Sequence, residues 1–378
     1  MFIRYRTDGR GKSLPVATIY TSKEHEIRNS RIDRDALWAI RKLQASGAEA
    51  YIVGGSIRDL MLGRKPKDFD IATSASPRQV QRLFWNARII GRRFRIVHLF
   101  FNEKIIEVTT FRSDEENFEE GNNNVFGTIE QDAKRRDFSI NSLYYNPANG
   151  QLLDFNGAMH DFRKKVIRSL IPLSYSFSED PVRMIRAIKY KVTTGFRLKW
   201  DVRRAIKRNA DRIGSCSTSR LTEEIEKIMA SGCCLEILQL MHKYGLLGYM
   251  MPCFSVYLSF PAVIESIKAL DAFVNEAHEK DEAIDRSRLL YFMIRSIIFL
   301  EDADPDSPDE AFKEAFRQSK VLISPLTPPN YEIEKAVELA LKDMGMNRKP
   351  RKAKPGRKKP GAAKRSAAKV ELPRKSKA

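Results

Sequence analysis

The pattern of apolar residues changes near Glu179, and this change most restricts how the chain can fold. Before this residue, short apolar runs typical of strands alternate with segments of helical periodicity. After it, helical periodicity dominates to about Lys342, and we predict no strand there. A mixed region followed by a helical region indicates an α+β protein, in which a mixed-sheet head precedes an all-α neck and body.

The same periodicity predicts the individual elements of the head. Predicted helices cover residues 31–46, 57–62 and 76–84, and predicted strands cover 49–53, 69–73, 94–101, 104–111, 140–145 and 151–155. The last four strands are expected to form two hairpins. The polar, Asn-rich stretch 113–127 is predicted to be a loop.

These patterns divide the chain into five segments. We expect an irregular N-terminal arm over residues 1–30, a catalytic head over 31–170, a helical neck over 171–260, a helical body over 261–346 and a disordered basic tail over 347–378. Hydrophobic residues make up 42% of the chain, which excludes disorder of the whole protein.

The formal net charge of +19 indicates a polyanionic partner. Much of the excess lies in the tail, which carries fourteen Lys and Arg against one Glu and almost no large apolar residue. Such a segment cannot bury enough surface to offset the entropy lost on ordering, so we expect it to be disordered. Nucleic acid is the first expected partner and an acidic membrane surface is the second.

Several sequence features bear on where the protein is located. No apolar run approaches the roughly 20 residues of a membrane span, and residues 1–12 lack the apolar core of a secretory signal. The cysteines Cys216, Cys233, Cys234 and Cys253 lack the spacing of a zinc site. We therefore expect reduced thiols and a cytoplasmic protein.

Asp68 and Asp70 lie at the start of a predicted strand, separated by one residue. Residues i and i+2 of a strand point to the same face, which would place the two carboxylates roughly 6–7 Å apart. Such charges repel each other unless a cation lies between them. A hard divalent cation, above all Mg²⁺, would resolve this conflict, whereas the alternative is a pair of solvated turn acids.

A glycine-rich turn, Gly54-Gly55-Ser56, precedes this acidic pair by fourteen residues and connects a predicted strand to a predicted helix. Glycines let backbone N–H groups approach a phosphate, and the N-terminus of a helix favours anions. Arg58 lies in the first helical turn and is a candidate ligand for a phosphate oxygen. The turn and the acidic pair together would hold a triphosphate beside its metal ions.

A centre with two metal ions is expected to have a third carboxylate. Glu107 is one candidate, because it is the only acid in the otherwise apolar segment Ile105–Thr109, and a charged residue inside a strand is costly unless it is paired. Asp137, which follows Lys134-Arg135-Arg136, is the other candidate. An outward-facing edge-strand Glu is the structural alternative for Glu107.

The stretch Tyr51–Asp70 resembles the signature of class II nucleotidyltransferases of the polymerase β superfamily, which include tRNA CCA-adding enzymes and bacterial poly(A) polymerases. Four further segments resemble motifs of this family in the family's order, namely Arg135–Asn141, Phe155–Asp161, Glu179–Arg186 and Ser219–Lys227. The resemblance implies a polymerase β-like head and fades beyond about residue 260.

The resemblance implies that an RNA 3′-OH attacks the α-phosphate of ATP and releases pyrophosphate, which is polynucleotide adenylyltransferase activity. Asp68 and Asp70 would hold two Mg²⁺ ions, and Glu107 or Asp137 would complete the carboxylate set. Asp180 and Arg183 are predicted to lie one turn apart on a helix, so that their shared face reads a base edge without a template. The implied nucleotide-binding set is Gly54, Gly55, Ser56, Arg58, Arg135, Arg136, Asn141, Asp180, Arg183 and Arg186.

The segment Ile89–Leu99, with Arg92, Arg93 and Arg95, resembles the poly(A) polymerase form of the family, as does the basic tail. We therefore expect a template-independent poly(A) polymerase that extends RNA 3′ ends. A CCA-adding enzyme is the alternative within the same reaction class. A non-catalytic RNA-binding protein on the same scaffold is a second alternative. The sequence does not identify protein partners, such as proteins of RNA decay.

Overall fold

The computed structural model describes residues 1–7, 9, 11–91, 95–102, 104–113, 126–300 and 308–346. The described residues form a head built on one large sheet and a helical region that follows it. The predicted tail and most of the predicted loop over 113–127 lie outside the described residues. The α+β prediction is confirmed.

The head is organised by a nine-stranded sheet with the strand order β1-β2-β9-β8-β3-β4-β7-β6-β5. Its strands are β1 (Phe2–Thr7), β2 (Ser13–Tyr20), β3 (Ala50–Val53), β4 (Asp70–Thr73), β5 (Ala87–Ile90), β6 (Ile96–Phe101), β7 (Lys104–Thr110), β8 (Leu143–Asn146) and β9 (Gln151–Asp154). All neighbours are antiparallel except β4 and β7, which are parallel. The two predicted hairpins are β6–β7 and β8–β9, and both are confirmed.

The prediction of an irregular arm over residues 1–30 is wrong, because β1 and β2 form a hairpin that extends the sheet. Strand β2 pairs with β9, and Ala17 and Tyr20 are buried there. This strand is stabilised by a partner more than a hundred residues away, and Pro15 and the nearby glycines conceal its pattern. Strand β5 was also not predicted, since it is a four-residue edge strand.

Three helices of the head lie in the order that the sequence predicts. They are α1 (Arg34–Ala45), α2 (Gly55–Met61) and α3 (Pro77–Leu83). Asp33 caps α1 by accepting hydrogen bonds from two backbone N–H groups, and Ser76 and Gln79 form a capping box at α3. Ala36, Ile40 and Leu43 of α1 are buried against the sheet, as an apolar helical stripe requires. Helix α2 begins where β3 ends and leads the chain into the site.

Helices account for most of the remaining described chain. They are α4 (Ile129–Lys134), α5 (Ala158–Lys164), α6 (Leu173–Glu179), α7 (Val182–Thr194), α8 (Trp200–Arg208), α9 (Thr218–Met229), α10 (Cys234–Lys243), α11 (Leu246–Met250), α12 (Pro252–Tyr257), α13 (Pro261–Glu279), α14 (Arg286–Ile294), α15 (Pro308–Ile323) and α16 (Asn330–Asp343). One continuous hydrophobic cluster runs from Ile52 in the sheet to Leu341 in the last helix, so the head and the helical region share a core.

The prediction of no strand after Glu179 is wrong at one place. The two-residue strand β11 (Arg197–Leu198) pairs in parallel with β10 (Val166–Ile167) and ties the helical region to the end of the head. Two residues are too few to produce a periodic signal. The four cysteines form no disulfide, and no helix in the described ranges is long and apolar enough to cross a membrane.

Candidate active site

A row of carboxylates lies at the beginning of β4, close to the turn that follows β3. Asp70 is the first residue of β4, and Asp68 lies two residues before it in the preceding loop. Asp70 is paired in register with Glu107 of the parallel strand β7, so these two side chains point to the same face of the sheet. The structure therefore brings together the acidic pair and one of the two candidates for the third carboxylate.

Burial and two neighbouring carboxylates act together on the ionisation of Asp70. Burial, followed by the charges of Glu107 and Asp68, raises the pKa of Asp70 from 3.8 to about 6, although Arg136 and Arg186 act in the opposite direction. Neither Asp68 nor Asp70 forms an ion pair or a side-chain hydrogen bond with another described residue. The fold thus gathers negative charge without a protein cation in direct contact.

This donor set is the kind that a hard cation requires. Asp68, Asp70 and Glu107 offer only carboxylate oxygens, which suit Mg²⁺ and do not suit softer metals. Among the described residues, no three His, Cys, Asp or Glu side chains already lie close enough together to hold a metal ion. A divalent cation would therefore have to draw these carboxylates together; the side chain of Glu107 is 48% exposed and its Oε1 lies 3.6 Å from Nε2 of His98.

Asp137, the other candidate for the third carboxylate, is committed elsewhere. Its Oδ2 lies 2.9 Å from Nη2 of Arg186, and its Oδ1 accepts hydrogen bonds from the Phe138 N–H and from the Asn141 side chain. Its side chain is only 8% exposed. Glu107 therefore lies beside Asp70, whereas Asp137 holds Arg186 in position.

The Gly54 turn lies directly beside the carboxylates. Gly54 has φ +73° and ψ −136°, a combination that essentially only glycine adopts. A Cβ atom at Gly54 would lie 3.4 Å from Oδ2 of Asp70 and 3.6 Å from Nη1 of Arg136. Gly55 begins α2. The hydroxyl of Ser56 is buried and donates to the Val53 carbonyl at 2.9 Å, so it closes the turn and does not face a nucleotide.

Arg58 and Asn141 join the turn to the second motif. Nη1 of Arg58 donates to Oδ1 of Asn141 at 3.1 Å, and another guanidinium nitrogen lies 2.8 Å from Asp59. The guanidinium also lies 4.9 Å from the centre of the Tyr190 ring, a cation–π contact. Arg58 is therefore held in place but remains only partly buried.

Arg186 on α7 completes this cluster from the helical region. It is paired with Asp137 and donates to the Tyr190 hydroxyl at 3.0 Å. These contacts, led by the charge of Asp137, raise the pKa of Arg186. Tyr190, which lies between Arg58 and Arg186, was not predicted as a site residue. Its position four residues after Arg186 is the signal that could have identified it.

Arg136 lies beside the Gly54 turn and is held there by two other side chains of the head. It donates to the Tyr144 hydroxyl at 3.0 Å and lies 3.2 Å from the carboxylate of Asp132, one turn earlier in α4. The sequence analysis missed both partners, although the i,i+4 spacing of Asp132 and Arg136 was visible. Arg135 instead donates to the Ser113 carbonyl at 3.3 Å, away from the turn.

The prediction that Asp180 and Arg183 share one helical face is wrong. Asp180 ends α6 in an extended conformation, whereas Arg183 lies in α7. Arg183 binds Glu179 and the Ser176 carbonyl, so it holds the bend between the two helices. Asp180 is paired at 2.8 Å with Arg220 of α9. Its Oδ1 is buried without a hydrogen-bond partner in the described part of the chain.

The loop that leads to Asp68 is anchored on the helical region. Nζ of Lys67 lies 2.7 Å from Nε2 of His278 at the end of α13, and Arg64 donates to the Thr193 carbonyl at the end of α7. Burial lowers the pKa of Lys67. The helical region therefore helps to position the acidic pair of the head.

Comparison with known protein families agrees with this architecture. Residues 50–168 match the family described as the poly A polymerase head domain, and residues 195–258 match the family described as a probable RNA and SrmB-binding site of polymerase A. The first match contains the carboxylate row and the Gly54 turn. The second begins just after α7 and includes Arg220, the partner of Asp180.

Curated relatives include both branches of this group. The chain is 40% identical over 258 residues to poly(A) polymerase I of Escherichia coli O6:H1, which covers 65% of this chain and 56% of that protein. It is 38% identical over 254 residues to poly(A) polymerase I of Haemophilus influenzae and 36% identical over 220 residues to the CCA-adding enzyme of Geobacillus thermodenitrificans. The chain thus spans a little more than half the length of these relatives.

Solved structures show the same fold. A CCA-adding enzyme in complex with ATP matches with a TM-score of 0.55 and 25% identity, covering 86% of this chain and 75% of that chain. The Bacillus stearothermophilus CCA-adding enzyme in complex with CTP matches with a TM-score of 0.53 and 24% identity, covering 82% of both chains. The two family matches and the curated relatives show that the chain contains the head domain of the poly A polymerase family, followed by the RNA-binding segment described for polymerase A, and that it is similar to poly(A) polymerases and CCA-adding enzymes.

Proposed function

We propose that this protein is a template-independent poly(A) polymerase, which transfers AMP from ATP to RNA 3′ ends and releases pyrophosphate. The observation that carries the proposal is the in-register pair of Asp70 and Glu107 beside the Gly54 turn. An intact carboxylate row argues against a non-catalytic RNA-binding role, because a fold gains no stability from gathering unpaired acids.

Asp68, Asp70 and Glu107 are proposed to hold two Mg²⁺ ions. Mg²⁺ bound here would acidify the RNA 3′-OH and neutralise charge on the departing pyrophosphate. The chain itself supplies the carboxylates and holds them in position. The pairing of β4 with β7 places Asp70 next to Glu107. The contact of Lys67 with His278 anchors the loop that carries Asp68.

The triphosphate is proposed to lie on the β3 side of Asp70. No Cβ atom covers the backbone of Gly54 and Gly55 there, and the guanidinium groups of Arg136 and Arg58 lie beside these two glycines. Arg186 contributes charge from α7, because it lowers the pKa of Asp70. Positioning and charge neutralisation by such groups account for most of the catalysis in phosphoryl transfer.

Recognition of the base is proposed to involve Asp180. Its Oδ1 is buried without a partner and can accept a hydrogen bond from an exocyclic amine, while Arg220 holds the other oxygen. Arg183 is proposed to shape this site by fixing the bend between α6 and α7. This proposal replaces the predicted arrangement in which Asp180 and Arg183 share one helical face.

We also propose a division of labour along the chain. Residues 1–170 form the catalytic head, residues 171–260 read the base and bind RNA, residues 261–346 form a supporting helical body, and residues 347–378 supply a basic RNA-binding tail. The first segment is extended to residue 1 because β1 and β2 belong to the sheet. The unpaired cysteines suit a reducing cytoplasmic location.

The second candidate is a CCA-adding enzyme, which the solved structures with this fold favour. The higher identity over a longer stretch favours the poly(A) polymerases, with 40% over 258 residues against 36% over 220.

One gel separates the two candidates: an unstructured RNA oligomer and a tRNA lacking its CCA end are each incubated with ATP, CTP or both. We expect long extension of the oligomer with ATP and poor use of CTP. Addition of only C, C and A to the tRNA, without extension of the oligomer, would contradict the proposal.

A further inference from the structure

One face of the β5–β6–β7 edge of the sheet is open to solvent. The residues of the other face, including Val97, Leu99 and Ile106, are buried against the helices of the head. The open face presents the alternating residues Arg88, Ile90, Ile96, His98, Phe100, Ile105, Glu107 and Thr109. Ile90 and Ile105 are each 43% exposed, although large apolar side chains at the edge of a sheet are normally covered.

The open face continues directly into the carboxylate row. Arg88 is opposite His98, His98 is opposite Glu107, and Glu107 is opposite Asp70. Neighbouring strands are about 4.8 Å apart, so these four side chains form one line of roughly 14 Å across the sheet. Nε2 of His98 lies 3.6 Å from Oε1 of Glu107, which connects the face to the site.

The same face carries an aromatic and cationic cluster. The guanidinium of Arg88 lies 5.2 Å from the centre of the Phe100 ring, and the His98 ring meets Phe100 edge-on at 6.1 Å. An aromatic ring beside an arginine is the combination on which unpaired bases stack and to which phosphates bind. The sequence analysis assigned none of these three residues to the site.

The geometry of the reaction indicates which reactant approaches over this face. The attacking oxygen and the leaving oxygen lie roughly in line on opposite sides of the transferred phosphorus. The Gly54 turn lies on the β3 side of Asp70, whereas β7, β6 and β5 lie on its other side. If the triphosphate occupies the side of the turn, the RNA 3′-OH has to arrive over Glu107.

We infer that the open face of β5–β6–β7 binds the last nucleotides of the acceptor RNA, with Phe100 and Arg88 as the stacking platform and His98 next to the terminal nucleotide. The inference rests on the proposed function, because it takes RNA as the acceptor. Two features identify RNA as the occupant: the positive charge and aromatic ring at Arg88 and Phe100, and the continuity of the face with the carboxylates.

The test measures RNA affinity without catalysis. Binding of a fluorescent oligo(A) is followed by anisotropy, without Mg²⁺ or ATP, for wild type, Arg88→Ala, Phe100→Leu and Phe100→Tyr. Phe100→Leu keeps an apolar side chain but loses the ring, and we expect at least ~5-fold weaker binding. Phe100→Tyr should retain wild-type affinity, and Arg88→Ala should reduce the salt dependence of log K by about 0.7. The KM for ATP should stay unchanged in all three.

Phe316 and Lys320 of α15 provide a matched control. The Lys320 ammonium lies 5.2 Å from the Phe316 ring centre, the same distance as in the Arg88–Phe100 pair, but in the helical body. Phe316→Leu and Lys320→Ala should leave RNA affinity unchanged. Thermal unfolding of every variant shows whether the fold is intact.

A direct measurement complements the variants: RNA with 4-thiouridine at its 3′ end should cross-link to the peptide that contains Phe100. Unchanged RNA affinity in folded Phe100→Leu and Arg88→Ala, together with no cross-link, would overturn the inference. The inference would also be overturned if these variants changed only the stability or the self-association of the protein, because the face would then be covered by protein and not by RNA. Wild type that binds RNA here but adds no AMP would contradict the proposed function and leave the surface standing.

Discussion

The substitution Asp70→Asn tests the electrostatic account of the site. In the folded protein, burial and the charges of Glu107 and Asp68 raise the pKa of Asp70 from 3.8 to about 6. A shift of about 2 units corresponds to about 3 kcal/mol, and about 2 kcal/mol remains after allowance for partial contact with solvent. Without divalent cations at pH 8, Asp70→Asn should therefore increase the free energy of unfolding by about 2 kcal/mol. With Mg²⁺, ATP and RNA present, the same substitution should abolish nucleotide addition.

The pH dependence of this effect follows from the direction of the pKa shift. Below about pH 4, the Asp70 carboxyl is protonated in both the folded and the unfolded chain, so it contributes no penalty. As the pH rises from about 4 to 6, the unfolded chain ionises first and the penalty on the folded state grows. Above pH 6 the penalty is constant. The stability difference between variant and wild type should therefore appear between pH 4 and 6 and then level off.

Urea unfolding monitored by circular dichroism, from pH 3.5 to pH 8, measures this difference. Asp211→Asn is the control, because it removes an exposed carboxylate and should change stability by only a few tenths of a kcal/mol. Adding Mg²⁺ at pH 8 should stabilise wild type and not Asp70→Asn. A variant that is less stable than wild type without Mg²⁺, or that keeps more than about a tenth of wild-type turnover, would refute the reasoning.

Four further substitutions test the rest of the site, and one deletion tests the basic tail. Glu107→Gln should lower kcat by at least about 100-fold. Asp137→Asn should mainly raise the KM for ATP, because this substitution removes the ion pair that holds Arg186. If steady-state kinetics show equal losses of kcat in both variants, the two residues do not differ in role as proposed. Gly54→Ala should cost about 1–3 kcal/mol of stability and most of the activity, measured by urea unfolding and AMP incorporation. Gly63→Ala has a similar positive φ in open space, so it should lose stability but keep activity. Deletion of residues 347–378 should weaken RNA binding and flatten its salt dependence by about 0.7 per lost phosphate contact, and an unchanged slope would show that this segment does not contact RNA.

Local patterns were enough to predict most of the elements that form the candidate site. The Gly54 turn and the mid-strand acid Glu107 each depend on a few neighbouring residues, and both lie where the sequence placed them. Asp70 begins its strand as predicted, whereas Asp68 lies in the loop before the strand and is not its i−2 strand neighbour. Helix caps such as Asp33 and Ser76 are local for the same reason. Backbone conformations and side-chain alternation are short-range properties, so they can be read from the chain alone.

Tertiary structure decided which of these residues meet. The parallel pairing of β4 with β7 selects Glu107, because register between strands depends on the packing of the whole sheet and not on either strand alone. The bend between α6 and α7 separates Asp180 from Arg183, and Arg220, forty residues away, becomes the partner of Asp180. The sheet also takes up β1 and β2, whose partner strand β9 lies far along the chain. Long-range pairing supplies the free energy for these choices, and no local pattern records it.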